Sequence, residues 1–244
     1  MARVEHVTGI ILERRPLMEH DRRLTVWTKE AGKLEPVAKG TLKPESKLAG
    51  SLEPLTEVRL SLTRGRTDRV ISSTIIQSWP GLRQDLRALA AASFAAQAVS
   101  RLTQVGLPDP ALFSLLQDCL SSLDDQAVAK HPLIVRKFLW RLFDRLGFRP
   151  RLDACVRCNK TLPAGGYYSA VDGGLVGVEC RSNAPNSFPV GPKAVAELNA
   201  LMSDDDSFKP SDGRVAVRVI NQTLLNHLTE ALPAEKFWRR MNRE

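Results

Sequence analysis

Two cysteines separated by two residues are the first candidates for chemistry in this sequence. Cys155 and Cys158 have the spacing with which a tight turn presents two thiolates to one tetrahedral zinc ion. The pair supplies only half of such a site, and all four histidines are distant in sequence. A redox role would require a thioredoxin-like βαβ pattern around the cysteine pair. A catalytic metal site would require a base or a substrate-binding motif, and none accompanies the pair. The sequence therefore indicates an incomplete structural metal site and gives no sign of a catalytic one.

The basic side chains are the second chemical feature. The chain has 35 Lys and Arg against 27 Asp and Glu, giving a net charge of +8. Such a surplus indicates a polyanionic partner, either nucleic acid or an anionic membrane surface. Residues 1–80 hold 14 basic and 10 acidic side chains, whereas residues 151–244 hold 12 and 11. The excess positive charge therefore lies towards the N-terminal part of the chain.

Lys and Arg in this part are candidates for phosphate contacts, because each neutralised phosphate releases counterions. The predicted DNA-binding residues are Arg14, Arg15, Arg22, Arg23, Lys33, Lys39, Lys43, Lys47, Arg64 and Arg66. Lys29 and Arg69 are further candidates for the same contacts. The alternative interpretation is a solvated surface whose cations are balanced by acids such as Glu13 and Glu45.

Aromatic residues, on which single-stranded bases usually stack, are scarce in the same region. The first 79 residues contain only Trp27 and Trp79, and Trp27 is expected in the core. We therefore expect binding that is dominated by the DNA backbone, tolerant of sequence and strongly dependent on salt. Such binding suits strand annealing, which must leave the base edges free to pair.

Five short apolar or alternating segments in the first 79 residues predict the strands that position these side chains. Gly- and Pro-containing turns separate them, a pattern typical of a small barrel. A five-stranded Greek-key barrel is the OB-fold, although the pattern alone does not exclude an SH3-like barrel. The predicted strands are residues 4–12, 23–28, 34–38, 52–62 and 69–76.

Helical periodicity replaces the strand pattern after Pro80. Cys119 is expected to be a buried apolar residue, and Trp140 is the aromatic of its helix best placed for a protein partner. The predicted helices are residues 82–102, 112–123, 132–146, 193–202, 221–231 and 234–242. The predicted fold class is therefore multi-domain α+β, with a barrel over residues 1–79, a helical domain over 80–150 completed by 183–244, and a cysteine module over 151–182.

Several function classes lack their sequence motifs. The chain contains no phosphate-binding P-loop, dinucleotide fingerprint, Gly-x-Ser-x-Gly or His-Glu-x-x-His motif. The absence of these motifs favours a non-enzymatic protein, although a metal-dependent nucleic-acid enzyme and a protein-binding scaffold remain alternatives. No apolar run is long enough to span a membrane, and no signal peptide precedes the first strand, so a cytoplasmic protein is expected.

Two blocks of sequence resemble the bacterial RecO family. The first comprises Gly9-Ile-Ile-Leu12, Arg15-Pro16, Asp21-Arg-Arg23-Leu-Thr-Val-Trp-Thr28, Gly32-Lys33, Val37-Ala-Lys39-Gly40, Ser46-Lys47-Leu-Ala-Gly50 and Leu55. The second comprises Phe138-Leu-Trp-Arg-Leu-Phe-Asp-Arg-Leu-Gly147-Phe148, Pro150, Leu152, Cys155-Val-Arg-Cys158, Tyr168-Ser169 and Gly173-Gly174. Together the blocks cover about half of the chain.

The resemblance implies an N-terminal OB-fold, a central helical domain and a small zinc-binding insertion. It also implies a recombination mediator that binds single- and double-stranded DNA, anneals strands and acts with RecR. Many members of the family also contact the single-stranded DNA-binding protein. A nucleoid-associated location follows from the same resemblance.

The cysteine module departs from the family pattern at one position. Cys180 matches the last zinc ligand, but Gly177 occupies the place where the third cysteine is expected. Three explanations remain open. In the first, zinc is held by three thiolates and either a water or a carboxylate, such as that of Asp153, Asp172 or Glu179. In the second, the site is vestigial. In the third, Gly177 replaces a cysteine of the natural sequence.

Overall fold

The computed structural model describes residues 4–17, 19–43, 45–46, 48–125, 127, 130–203, 213–228 and 232–241. The chain divides into two compact units: Met1–Val135 with Leu232–Glu244, and Arg136–Ala231. The domain boundaries that the composition indicated, after residues 79, 150 and 182, remain predictions. Among the described residues, no helix combines the length and the apolar character needed to cross a membrane.

Six strands of the first unit form one sheet that closes on itself. They are β1 (Val4–Pro16), β2 (Arg22–Thr28), β3 (Gly32–Leu34), β4 (Val37–Ala38), β5 (Glu57–Thr63) and β6 (Arg69–Gln77). Around the barrel the order is β1, β2, β4, β6, β5 and β1 again, with β3 attached to β2. Only β4 and β6 are parallel. This five-stranded Greek-key order confirms the predicted OB-fold.

The barrel closes because β1 pairs with two neighbours. Its first half pairs with β5 and its second half pairs with β2, and a bulge between Ile11 and Glu13 lets the strand bend. Alternate residues of β2 and β5, such as Leu24 and Leu60, fill the barrel core. Trp27 is only 2% exposed, which confirms its predicted place in the interior.

Six α-helices follow the barrel in the part of the chain that the structure describes, as the periodicity indicated. They are α1 (Leu86–Leu102), α2 (Pro110–Asp125), α3 (His131–Leu146), α4 (Pro192–Ala200), α5 (Arg214–His227) and α6 (Pro233–Met241). The Asp85 carboxylate caps α1 by accepting the backbone N–H groups of Arg87 and Ala88. The many alanines of α1 allow close packing against α2, α6 and β1. Cys119 of α2 is buried as expected.

Several details of the helical prediction were wrong. Helix α1, for example, begins at Leu86 rather than at residue 82, after its Asp85 cap. Helix α5 begins at Arg214 rather than at residue 221, and Gly213 precedes it in a left-handed conformation. Trp140 is fully buried, so it is not an exposed contact for a partner. Helix α3 buries the side that carries Trp140 in addition to the side that carries Leu139 and Phe143.

A small sheet in the second unit carries the cysteine module. Strands β7 (Gly166–Ser169), β8 (Gly174–Val176) and β9 (Phe188–Val190) form it, with β7 in the centre. The Tyr168 hydroxyl lies 2.8 Å from the Thr223 hydroxyl of α5 and joins sheet to helix. Behind the sheet, Cys155, Val176 and Ala184 form a small buried cluster.

Candidate functional site

The predicted cations of the barrel fall into two groups, and the first group is neutralised. Arg14 pairs with Glu53, and Arg15 pairs with Glu13 at 2.7 Å. Arg64 pairs with both Glu5 and Asp68. These ion pairs reduce the charge that the three arginines offer to a phosphate.

Lys33 has a different environment from the other predicted cations. It is 9% exposed, and its ammonium group donates to the backbone carbonyls of Ser100 and Thr103 at the C-terminal end of α1. Burial lowers the pKa of Lys33 from its ordinary value. A cation at a helix C-terminus is favourable because the carbonyls there carry partial negative charge. Lys33 therefore connects the barrel to α1 and is not on the basic surface.

The second group has no neutralising partner among the described residues. Arg22, Arg23, Lys39, Lys43 and Arg66 form neither an ion pair nor a side-chain hydrogen bond there. Arg69, a further candidate from the sequence, shares this property and is exposed. Lys47 lies outside the described residues.

Strand register brings the unpaired cations together. Arg23 and Arg69 both pair with Val37, from opposite sides of β4. Since neighbouring strands lie about 4.8 Å apart, the two arginines are only about two strand spacings apart. Arg22 pairs with Ala38, and Lys39 follows directly.

Two turns adjoining β4 carry the remaining cations. The Lys43 N–H donates to the Gly40 carbonyl, so the chain reverses after Lys39. Arg66 lies in the β5–β6 turn, which is tied to β4 because the Val37 N–H donates to the Asp68 carbonyl at 2.8 Å. We call the six side chains the basic end of the barrel: Arg22, Arg23, Lys39, Lys43, Arg66 and Arg69.

The cysteine module brings its three thiols together. The Sγ atoms of Cys155, Cys158 and Cys180 lie within 4.8 Å of one another. A tight turn positions the first two, because the Asn159 N–H donates to the Cys155 carbonyl at 2.9 Å. Cys180 sits in the short 3-10 helix Val178–Asn183. Three sulfurs around one zinc ion at about 2.3 Å would be separated by about 3.8 Å, so the cluster fits a metal ion after a small contraction.

Hydrogen bonds prepare one of these sulfurs to act as a thiolate. Burial alone would raise the pKa of Cys155, but backbone N–H groups of Gly177, Cys158 and Arg157 lower that pKa to about 6. Cys180 is shifted the other way, because a hydrogen bond with Cys158, together with burial, raises the pKa of Cys180 to about 11. The pKa values of Cys155 and Cys180 are therefore shifted in opposite directions.

The three carboxylates considered as a fourth ligand are engaged elsewhere. Asp153 lies 3.2 Å from Arg151, Asp172 lies 2.7 Å from Arg157, and Glu179 lies 2.5 Å from Lys160. Among the described residues, the cysteines form a metal-binding group with no carboxylate or histidine in it.

The sequence matches two family models, described as Recombination protein O N terminal over residues 1–79 and Recombination protein O C terminal over residues 83–236. The chain belongs to the RecO family. That result confirms the resemblance of the two sequence blocks and assigns the chain to DNA repair and recombination.

Individual RecO proteins are similar along most of the chain. The DNA repair protein RecO of Pelotomaculum thermopropionicum is 33% identical over 196 residues, which cover 80% of this chain and 75% of that protein. The DNA repair protein RecO of Rubrobacter xylanophilus is 34% identical over 79% of this chain and 78% of its own length. That of Anaeromyxobacter sp. strain K is 29% identical over 95% of this chain and 94% of its own length.

Two properties of this RecO chain were missed by sequence reasoning. One is the pairing of Arg64 with Glu5, which lies 59 positions away. The other is the removal of Lys33 from the surface by α1. Both depend on residues distant in sequence, so no local pattern signals them.

Proposed function

We propose that this chain is a non-enzymatic recombination mediator that binds single- and double-stranded DNA and anneals complementary strands. In this proposal it acts with RecR to replace the single-stranded DNA-binding protein by the recombinase, in RecF-pathway repair of gaps and double-strand breaks. Its place of action is the nucleoid. Family membership supports the repair role, and the basic end of the barrel supports direct DNA contact.

The unneutralised cluster of cations is the observation that carries the proposal. Phosphates neutralised by Lys and Arg release counterions, and that release drives binding without reading the base sequence. We assign this contact to Arg22, Arg23, Lys39, Lys43, Arg66 and Arg69. The paired Arg14, Arg15 and Arg64 make a smaller contribution in this proposal, Lys33 makes none, and Lys47 stays a prediction from the sequence.

The burial of the two tryptophans of the barrel region favours annealing. Trp27 and Trp79 are 2% and 1% exposed, so neither is available for bases to stack on. A strand held only through its phosphates keeps its base edges free. Two strands held on basic protein also repel each other less, because their phosphates are partly neutralised. Pairing then needs no nucleotide hydrolysis, in keeping with the missing P-loop motif.

We infer that the cysteine module holds Zn²⁺ as a structural ion. Bound there, zinc would cross-link the turn at Cys155 and Cys158 to the 3-10 helix that carries Cys180. The backbone N–H groups on Cys155 favour its thiolate form and thereby favour metal binding.

A salt series tests the proposal. Labelled single- and double-stranded oligonucleotides would be titrated by fluorescence anisotropy, and annealing of complementary strands would be followed without nucleotide. We expect affinity to fall steeply with salt and annealing to accelerate. Negligible binding at low salt would favour a protein-binding scaffold. DNA turnover that stops on chelation would favour a metal-dependent enzyme.

A further inference from the structure

We propose that the metal centre of this chain is open: three protein thiolates bind the zinc ion, and a small exchangeable ligand occupies the fourth coordination position. That ligand is water in the absence of thiols and is displaced by a low-molecular-weight thiol. The inference rests on the zinc binding proposed above but is independent of the DNA contact.

The first argument is the count of donors. Structural zinc sites are almost always four-coordinate, and each ligand contributes one donor atom. The described residues bring together only the sulfurs of Cys155, Cys158 and Cys180. Asp172, Arg157 and Ser169 form their own network, in which the Asp172 carboxylate accepts from both neighbours at 2.7 and 2.5 Å. Moving this carboxylate to the metal would leave the Arg157 charge without its partner.

The second argument is the space at Gly177. A Cβ atom built there would lie 3.5 Å from Leu162 Cδ2 and 4.0 Å from the Cβ of Cys155, both ordinary van der Waals distances. The backbone of Gly177 has φ −70° and ψ 162°, which any residue adopts without strain. A side chain at this position would thus stand beside the first zinc ligand. Because glycine has none, the position is left to a ligand from solution.

The third argument is the chemistry of the ligand that would fit. Zinc accepts thiolate readily, and the other three donors are already sulfurs. A small thiol can place its sulfur where a cysteine side chain at residue 177 would have placed one. It would bind as the thiolate, releasing its proton to solvent and displacing the water. A thiol of low molecular weight is therefore the preferred class of ligand.

X-ray absorption at the zinc edge of the full-length protein counts the ligands directly. Without added thiol, we expect three sulfurs at about 2.3 Å and one light atom at about 2.0 Å. With excess 2-mercaptoethanol, we expect four sulfurs. The variant Gly177→Cys should show four sulfurs under both conditions. The control Gly177→Ala adds a methyl group without a donor, so it should keep three sulfurs and lose the response to thiol.

Zinc affinity provides a second measurement, by competition with a chromophoric chelator. Gly177→Cys should bind zinc more tightly by more than about tenfold, since loss of even a second-shell partner costs roughly 10–100-fold. Added thiol should raise the affinity of the unaltered chain and leave that of Gly177→Cys unchanged.

Several results would overturn the open centre. Four sulfurs without added thiol would mean that the protein itself supplies the fourth donor. A light ligand that thiol never displaces would mean that a fixed carboxylate closes the site. Failure to bind zinc at all would overturn both this inference and the zinc proposal, while the anisotropy titration would still test the DNA contact separately.

Discussion

The Lys33 ammonium group donates to the Ser100 carbonyl at 2.7 Å, and this bond joins a barrel strand to the end of α1. From the sequence alone, a lysine in a strand of the basic barrel region is readily assigned to DNA binding. Here the same charge satisfies carbonyls that the helix leaves without intrahelical partners. A basic side chain that is bound by groups of the protein itself contributes to stability, and one without such partners is available to a phosphate.

Replacing Lys33 by Met should lower stability without weakening the phosphate contact. The change leaves the carbonyls of Ser100 and Thr103 without this donor, at a cost of about 1–3 kcal/mol. Urea unfolding measures the loss. The matched control is Lys39→Met, which should weaken DNA binding and leave the unfolding free energy nearly unchanged. If Lys33→Met instead lowered the salt slope of DNA binding at unchanged stability, our assignment of Lys33 would be wrong.

Replacing Arg23 by Gln should weaken DNA binding for all sequences alike. Arg23 belongs to the basic end, and loss of one phosphate contact reduces the slope of log affinity against log salt by about 1. Arg14→Gln is the control, because Arg14 is an arginine of the neighbouring strand that already pairs with Glu53. We expect little change in its slope. Equal losses in both variants would point to total charge rather than to the position of the cations.

Glu13 should contribute stability that disappears in acid. Burial raises the pKa of Glu13, but hydrogen bonds from Arg15 and Ser100 and the charge of Arg101 outweigh it, so the pKa lies below its usual value. The folded state therefore binds fewer protons than the unfolded state near that pKa. The contribution is present above the unfolded value of about 4.3 and is lost as pH falls through the lower folded pKa.

The variant Glu13→Gln checks this sign. At about pH 7 it should be less stable by roughly 1–3 kcal/mol, because it weakens charged hydrogen bonds. As the pH falls, the unaltered chain loses the same contribution, so the two unfolding free energies should converge. A difference that stays constant across the titration would show that packing, rather than charge, is responsible.

The sequence predicted the barrel well because its information is local. Alternation in residues 23–28 follows directly from one buried face, and β2 spans Arg22–Thr28. The segment 34–38 was less well predicted, since it divides into β3 and β4 with different partners. Pro36 lies between the two strands and has no N–H group to donate, so it interrupts the strand although the apolar content continues.

The sequence predicted the types of residue in the candidate sites better than it predicted how those residues are arranged. Cys155, Cys158 and Cys180 converge as their spacing and the family resemblance indicated. The charges of Arg14 and Arg64 could not be separated from those of Arg22 and Arg23 by sequence, because their partners come from other strands and loops. Glu5, for example, is 59 positions from Arg64. Pairing across such distances is a property of the closed barrel.

Two glycines with similar positive φ angles should differ sharply in their tolerance of alanine. Gly32 and Gly40 have φ of 67° and 65°, so alanine at either costs about 1–2 kcal/mol in backbone strain. At Gly32 the new Cβ would also lie 2.2 Å from the Leu107 carbonyl oxygen, whereas at Gly40 the nearest atom is the Lys43 side chain at 3.8 Å. Gly32→Ala must therefore displace the backbone segment that packs on β3, adding roughly 1–3 kcal/mol. Urea unfolding of the two variants should separate them by that amount, and equal losses would mean that the segment at Leu107 moves away without cost.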